Sequence, residues 1–287
     1  MEVRKIAVLG AGLMGHGICQ VAAQTGGYEA NLRDIEQRFL DSGMQMVKKS
    51  LERLQSKGKL TETEVTATLN RIHPTLDLKN AVSDVDLIVE AAPENAQLKR
   101  AIFKEADQHA PPHAIIASNT SSISITELGS ATNRPERVCG MHFFNPPQLM
   151  KLVEVVKGAK TSDETIQTIL NTAHKMGKET VLVKKDCPGF IVNRILVPAL
   201  NEAVALHWEG IADRDDIDKA IRLGLNWPMG PLKLLDYIGA DTTLSIAEVL
   251  TRELDPKFQP SPGLKQMVNA RFLGRKTGKG FYDWTQQ

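Results

Sequence analysis

Ile6-Ala7-Val8-Leu9-Gly10-Ala11-Gly12-Leu13-Met14-Gly15 is a short apolar run opening directly into glycines spaced G-x-G-x-x-G. A second strand-like run, Tyr28 to Leu32, follows, and Asp34 closes it. Strand, glycine loop, helix, strand and acid in that order predict a dinucleotide-binding βαβ unit. Gly10 permits the tight turn out of the strand, Gly12 removes a side chain where backbone must approach the pyrophosphate, and Gly15 lets the helix pack closely on the sheet. The phosphates are expected on the N–H groups of the helix N-terminus, which makes Gly10, Gly12, Leu13, Met14 and Gly15 the cofactor-binding loop. Asp34 favours NAD over NADP, because its carboxylate accepts from ribose hydroxyls and repels a 2′-phosphate. Arg33 and Arg38 lie near enough to soften that choice, although an arginine beside an acid is usually its solvated partner.

A chain of 287 residues exceeds the usual single-domain size, so two domains are expected. A hydrophobic content of 42% with 24% charged residues describes an ordinary soluble globular protein. The net charge of +1, from 35 basic and 34 acidic residues, leaves no electrostatic footprint for nucleic acid or an anionic membrane. Cys19, Cys139 and Cys187 form no C-x-x-C pair, and an odd number of cysteines suits a reducing compartment. No stretch approaches the length of a membrane span, and Met1 to Lys5 runs into the first strand without an apolar signal region. A cytoplasmic location, or an organelle matrix after processing, is therefore expected. No metal is expected, since no H-E-x-x-H motif or cysteine pair is present. The acidic cluster Asp213, Asp215, Asp216 and Asp218 lacks the EF-hand glycine and reads as a helix start.

From Lys5 to about Val155 short apolar runs alternate with helical periodicity, the pattern of a doubly wound parallel sheet. Strands are expected at Ile6 to Leu9, Tyr28 to Leu32, Asp86 to Glu90, Ala114 to Ser118, Val138 to Phe143, Leu152 to Val156 and Thr180 to Val183. Glu29 and Asn31 make the second of these polar for a central strand. Met44 to Arg71 reads as two helices, the second opened by Thr61 with Glu64 in capping-box spacing, and Asp163 to Met176 as another opened by Thr161 and Glu164. After Asp186-Cys187-Pro188-Gly189 the signal is almost wholly helical: Phe190 to Trp208, Asp213 to Leu223, Pro231 to Leu254 and Pro262 to Ala270. The expectation is an α/β Rossmann-like doubly wound sheet with a helical-pair insertion over 1–185, followed by an all-α domain over 186–287 for substrate binding and dimerisation.

His142, at the end of an expected strand, lies near the rim where such sheets bind ligands. Glu154, inside an otherwise apolar strand, needs a partner if buried. Each suits the other: the carboxylate accepts the ring N–H, fixes one tautomer and stabilises the protonated ring. Removing hydride from a secondary alcohol requires a group to take the hydroxyl proton, and histidine is suited to that work. Ser121, in Ser118-Asn119-Thr120-Ser121-Ser122, reaches the same rim but reads equally as a helix cap. Asn193 supplies either a donor amide or a domain-contact hydrogen bond. The basic positions Lys48, Lys49, Arg53, Lys57 and Lys59 form either a solvated helix face or a binding surface for an acidic ligand arm.

Taken together, Gly-Ala-Gly-Leu-Met-Gly, Val89-Glu90-Ala91 with Pro93-Glu94-Asn95, Ser118-Asn119-Thr120-Ser121-Ser122, His142-Phe143-Phe144-Asn145-Pro146, Lys151-Leu152-Val153-Glu154-Val155 and Pro188-Gly189-Phe190-Ile191-Val192-Asn193-Arg194 resemble the short-chain (S)-3-hydroxyacyl-CoA dehydrogenases, a family that includes 3-hydroxybutyryl-CoA dehydrogenase. The likeness continues to Lys276-Thr277-Gly278-Lys279-Gly280-Phe281-Tyr282. The resemblance implies that His142 is the acid/base, Glu154 its orienting partner, and Ser121 and Asn193 the ligands of the substrate's 3-oxygen. It further implies that Asp34, Glu94, Lys99, Asn119 and Ser121 contact NAD, and that Ser50 and Lys57 hold coenzyme A. The expected activity is NAD-linked oxidation of (S)-3-hydroxyacyl-CoA to 3-oxoacyl-CoA, or its reverse, on short acyl chains, in a homodimer. Gly26-Gly27 before the polar second strand and Pro147-Gln148 after the histidine motif depart from the family pattern.

Two rival readings use the same residues. A hydrolase built on Ser121, His142 and Glu154 lacks the G-x-S-x-G elbow and has no need of a dinucleotide unit. An NAD-binding structural protein, as among the lens crystallins of this architecture, keeps the fold without turnover.

Overall fold

A computed structural model describes residues 1–285, and the chain forms two compact units that divide between Cys187 and Pro188. In the first unit β1 (Lys5–Leu9), α1 (Gly15–Gln24) and β2 (Glu29–Arg33) make the opening βαβ element. They are followed by α2 (Gln37–Ser56), α3 (Glu62–Asn70), β3 (Ile72–Thr75), α4 (Leu78–Val82) and β4 (Leu87–Glu90). Next come α5 (Ala96–His109), β5 (Ile115–Ser118), α6 (Ile125–Ser130), β6 (Val138–Phe143), β7 (Leu152–Val156), α7 (Asp163–Lys175) and β8 (Glu179–Val183). The eight strands lie in the order β3-β2-β1-β4-β5-β6-β7-β8. Strand order reverses at β1, so the crevice where doubly wound sheets take ligands opens at the carboxyl ends of β1 and β4.

Burial explains why these strands form. Ile6, Val8, Leu87 and Val89 join Ile115, Ala117, Met141, Val153 and Val155 in one apolar cluster, covered by residues of α1, α2 and α7. Strands buried on both faces read as apolar runs, as the uniformly buried Leu87–Glu90 does. The polar β2 is nevertheless interior to the sheet: Asn31 is buried and donates through Nδ2 to Ala81 O at 2.7 Å, which satisfies its amide.

Three expectations are corrected, and two elements, β3 and α4, had no counterpart in the sequence reading. β3 and α4 carry too few residues to show a period, and β3 holds Pro74, a residue confined to edge strands. β7 runs antiparallel to β6, with His142 paired to Glu154, because the connection between them is a hairpin too short for a crossover. α7 is capped by Ser162, whose hydroxyl accepts from Thr165 N, while Thr161 Oγ1 accepts from Gly158 N at 2.9 Å and donates to Val138 O at 2.5 Å. The long helix expected from Pro231 to Leu254 is broken at Gly239, where φ is +105°.

The second unit holds α8 (Val192–Trp208), α9 (Arg214–Gly224), α10 (Pro231–Ile238), α11 (Ala240–Glu253) and α12 (Pro262–Asn269). Leu200, Val204, Ile217, Leu232, Leu235 and Leu264 form its main apolar cluster. The acidic start of α9 is used structurally: buried Asp218 accepts from Leu232 N and Lys233 N at the head of α10. No described helix is long and apolar enough to cross a membrane.

Candidate active site

The glycine loop has the geometry its sequence demands. Gly10 has φ +112°, and a Cβ there would lie 2.6 Å from Ala91 O. A Cβ on Gly15 would fall 1.7 Å from Gly10 O, so helix and turn touch through a missing side chain. At Gly12 an added Cβ meets nothing within 4 Å. Gly12 therefore faces open space rather than protein, which is where a close ligand requires a bare backbone. Met14, at the N-cap of α1, contributes no side-chain cap hydrogen bond; His16 N donates to Gly12 O at 3.2 Å and Ile18 N to Met14 O at 2.9 Å, so the part of the helix start suited to a ligand oxygen is the glycine loop's own backbone. Asp34 accepts from Ala11 N and from Ile35 N, each at 2.7 Å. An ionised carboxylate accepts at about four positions, so acceptor capacity remains for ribose hydroxyls. Neither nearby arginine is poised for a 2′-phosphate. Arg33 Nε donates to Leu76 O at 3.2 Å, and Arg38 pairs with Glu36 at 2.7 Å and stacks over Phe39. Loop, helix terminus and acid all fit NAD.

A second cluster lies beyond β4 and β5. Glu90 and Lys99 are both fully buried and pair at 2.7 Å, and Lys99 Nζ also donates to Ala92 O at 3.0 Å. Ser118 Oγ donates to Glu90 at 2.6 Å, so the carboxylate ties the ends of both strands together. Lys99 also reaches Glu94 at 3.4 Å. Glu94 Oε1 gathers the serine loop, accepting from Thr120 Oγ1 at 2.5 Å, Ser121 N at 3.0 Å and Ser122 N at 3.2 Å. The hydroxyls of Ser122 and Ser121 stand at 3.0 and 3.4 Å from the same oxygen. Burial pushes the Glu94 carboxyl up, but the Lys99 charge and these donors outweigh it and hold the group below the ordinary glutamate range. The family resemblance implied Glu94 and Lys99 as cofactor contacts and did not include Glu90, whose signal in the sequence is an acid ending the apolar run Leu87-Ile88-Val89.

The third cluster is the cross-strand pair. His142 and Glu154 are register partners on β6 and β7, and the ring Nδ1 stands 2.7 Å from Glu154 Oε2, with both residues buried. Directly opposed residues of an antiparallel pair share one face, which brings side chains 12 positions apart into contact. Phe144 packs against the imidazole with ring centroids 4.6 Å apart. Asn119 Oδ1 accepts from Phe143 N at 2.8 Å, so this residue ties the serine loop to the histidine strand.

Ser50 and Lys57 lie on α2 and at its C-cap; seven residues is two helical turns, so they share a face. Lys57 is exposed and Ser50 half-buried. Asn193 belongs to the second unit, as the second residue of α8, and is half-buried.

The comparisons agree along the whole chain. Residues 5–187 match the model of the 3-hydroxyacyl-CoA dehydrogenase NAD-binding domain, and residues 189–284 that of the 3-hydroxyacyl-CoA dehydrogenase C-terminal domain. A probable 3-hydroxybutyryl-CoA dehydrogenase of Deinococcus radiodurans is 52% identical over 98% of this chain and 100% of its own length. One of Bacillus subtilis is 48% identical over 100% and 99%. The crystal structure of (S)-3-hydroxybutyryl-CoA dehydrogenase from Ralstonia eutropha superposes with a TM-score of 0.94 at 44% identity, covering 99% of this chain and 100% of that one. The protein is an NAD-dependent oxidoreductase, and with both halves of the family present in order, the chain belongs to the 3-hydroxyacyl-CoA dehydrogenase family.

Proposed function

We propose that the protein interconverts (S)-3-hydroxyacyl-CoA and 3-oxoacyl-CoA, acting on short chains of the 3-hydroxybutyryl and acetoacetyl kind. The observation that carries this reading is the buried His142–Glu154 pair at 2.7 Å, set in the dinucleotide-binding unit. NAD, when bound, supplies the two-electron acceptor for the hydrogen on the substrate's C3. His142, its Nδ1 committed to Glu154, exchanges the substrate's hydroxyl proton at Nε2, taking it in oxidation and returning it in reduction. Glu154 keeps the ring in one tautomer and faces the positive charge that forms on it. Ser121 and Asn193 polarise the 3-oxygen as charge develops there. Glu94 sets the serine loop, and through it the Ser121 hydroxyl. Asp34, Glu94, Lys99 and Asn119 serve the NAD side of the site; for Lys99 the service is indirect, through Glu94, since its ammonium is buried on Glu90.

Ser50 and Lys57 would hold the coenzyme A arm, the lysine as a point charge on a phosphate. A homodimer formed through the helical domain fits the exposed Ile195, Ile211, Leu223 and Leu225. A cytoplasmic setting fits three cysteines of which none is in a disulfide, Cys19 and Cys139 being buried with thiols pushed up to about 12. The test is NADH absorbance with acetoacetyl-CoA: oxidation of NADH is expected, and NAD binding without turnover defeats the proposal. Light scattering in the same buffer should give twice the chain mass.

A further inference from the structure

The segment 144–151 joins the strand bearing His142 to the strand bearing Glu154, and its anchorage draws on residues far from both. Inside the connection, Leu149 N and Met150 N both reach Pro146 O at 3.0 Å. On one side it rests on the dinucleotide helix. Gln148 Nε2 donates to Gln20 Oε1 at 3.1 Å, and Gly17 lies so close that a Cβ there would sit 2.9 Å from Pro147 Cδ. On the other side stands Lys178, 7% exposed, whose ammonium donates to Pro147 O at 2.5 Å and to Met150 O at 2.8 Å. The backbone around this lysine is itself fixed. Gly177, at φ +72°, ends α7 in a Schellman turn, with Lys178 N bonded to Ala173 O at 3.0 Å and Gly177 N to His174 O at 2.9 Å, the 6→1 and 5→2 bonds of that motif. The next residue starts β8, where Glu179 N bonds Lys151 O at 2.9 Å.

A buried ammonium is costly unless paired, and burial lowers the proton affinity of Lys178. Packing alone would be served better by a methionine at this place. What the cation supplies and an apolar side chain would not is a pair of strong donors aimed at two carbonyls of one loop. Those carbonyls lie in the turn that sets how β7 meets β6. A one-residue slip of that register would carry Glu154 to the opposite face of the sheet.

We propose that Lys178 is a positioning residue for the reaction: by gripping Pro147 O and Met150 O it presses the 144–151 connection against α1 and so fixes the His142–Glu154 pair relative to the NAD-bearing helix. The proposal rests on the reading of His142 as the acid/base. A displacement of about 1 Å at a catalytic group can cost on the order of 100-fold in rate.

The test uses the full chain and counts active sites by NADH titration. Lys178→Met is expected to lower kcat per NADH-binding site by roughly 10- to 100-fold while KM for NADH and for acetoacetyl-CoA changes by less than about threefold. Combined with Glu154→Gln, it should add little to the loss that Glu154→Gln causes alone, since both act through one pair; losses that multiply overturn the proposal. Lys178→Gln, which retains one donor amide, should fall between wild type and Lys178→Met. Unfolding of both Lys178 variants also overturns it, because the residue would then support the fold and not the pair. His142→Gln runs alongside. If that variant keeps its turnover, the functional reading fails; if it is inactive while Lys178→Met matches wild type, only the present inference fails.

Discussion

At the scale of single residues, the site separates proton transfer from cofactor binding, and the two should be lost independently. His142 stands on Glu154 rather than on the glycine loop. Replacing it with glutamine should therefore reduce kcat by about 100- to 10,000-fold, the usual worth of a positioned acid or base. NADH affinity, read by fluorescence titration, should stay within about threefold of wild type, and a parallel collapse of that affinity would count against the assignment. Glu94 gives a pH-dependent counterpart. Its carboxyl is held below the usual range by Lys99 and the serine-loop donors, against the opposing effect of burial. A depressed acid contributes stability that is complete above the unfolded value and disappears as pH falls through the folded one. The melting temperature of wild type should therefore exceed that of Glu94→Gln at neutral pH, and the gap should close below the ordinary glutamate value of 4.5. A gap independent of pH would show that the charge of Glu94 does not hold the loop. His142 and Glu154 were legible in sequence because a buried acid in an apolar strand needs a partner. Glu90 and Lys178 were not, since neither spacing nor periodicity reveals which distant carbonyls or ammonium a side chain will meet.

Among the elements, the opening βαβ unit was the most legible, because each glycine answers to a separate steric demand, and those demands can be tested against one another. A methyl group on Gly12 meets no protein atom within 4 Å, whereas one on Gly15 would be driven into Gly10 O at 1.7 Å. Gly12→Ala should leave the melting temperature nearly unchanged and weaken NADH binding by about tenfold or more, since the methyl occupies only the ligand's space. Gly15→Ala should lose folding stability as well, because helix and turn must separate to admit the methyl. Equal melting temperatures for the two variants would refute this division of roles. Where sequence reading failed, the deciding force was tertiary. β3 forms as an edge strand, paired only along β2 through Ala30 to Arg33, although Pro74 and its four-residue length give little local signal. Helical periodicity ran unbroken across Gly239, and the break follows from the close packing there: the Gly239 carbonyl takes the Thr243 hydroxyl at 3.0 Å, and a Cβ would lie 2.9 Å from Asp241 Oδ1. Ser162 displaced Thr161 as a cap because the Thr161 hydroxyl is spent on Val138 O.

For the molecule as a whole, each unit has a core of its own, and the second is closed by a device that composition does not disclose. Asp236, 1% exposed, accepts from Phe281 N, Tyr282 N and Trp284 Nε1, each at 2.9 Å. Asp218 accepts from the Tyr282 hydroxyl at 2.8 Å. The C-terminal segment is thus pinned to α9 and α10 by two buried carboxylates, and Gly280 is bare because a Cβ would lie 2.1 Å from Asp236 Oδ1. Burial above all, helped by the neighbouring charge of Asp218, raises the Asp236 carboxyl against the lowering effect of its three donors. An acid with a raised folded value gains stability for the fold as pH falls through that value toward the unfolded one, and its ionisation opposes folding above it. Trp208, Trp227 and Trp284 all lie beyond Cys187, so tryptophan emission reports the second unit alone. In Asp236→Ala the three donors are left buried without an acceptor, at about 1–3 kcal/mol for each. The denaturant midpoint read by tryptophan should fall accordingly at neutral pH, while NADH titration of the first unit is unaffected. On acidification toward the ordinary aspartate value of 3.8, the difference between wild type and Asp236→Ala should widen, the opposite of the trend at Glu94. A difference that narrows would mean that the Asp236 carboxylate is stabilised, and not strained, by its enclosure.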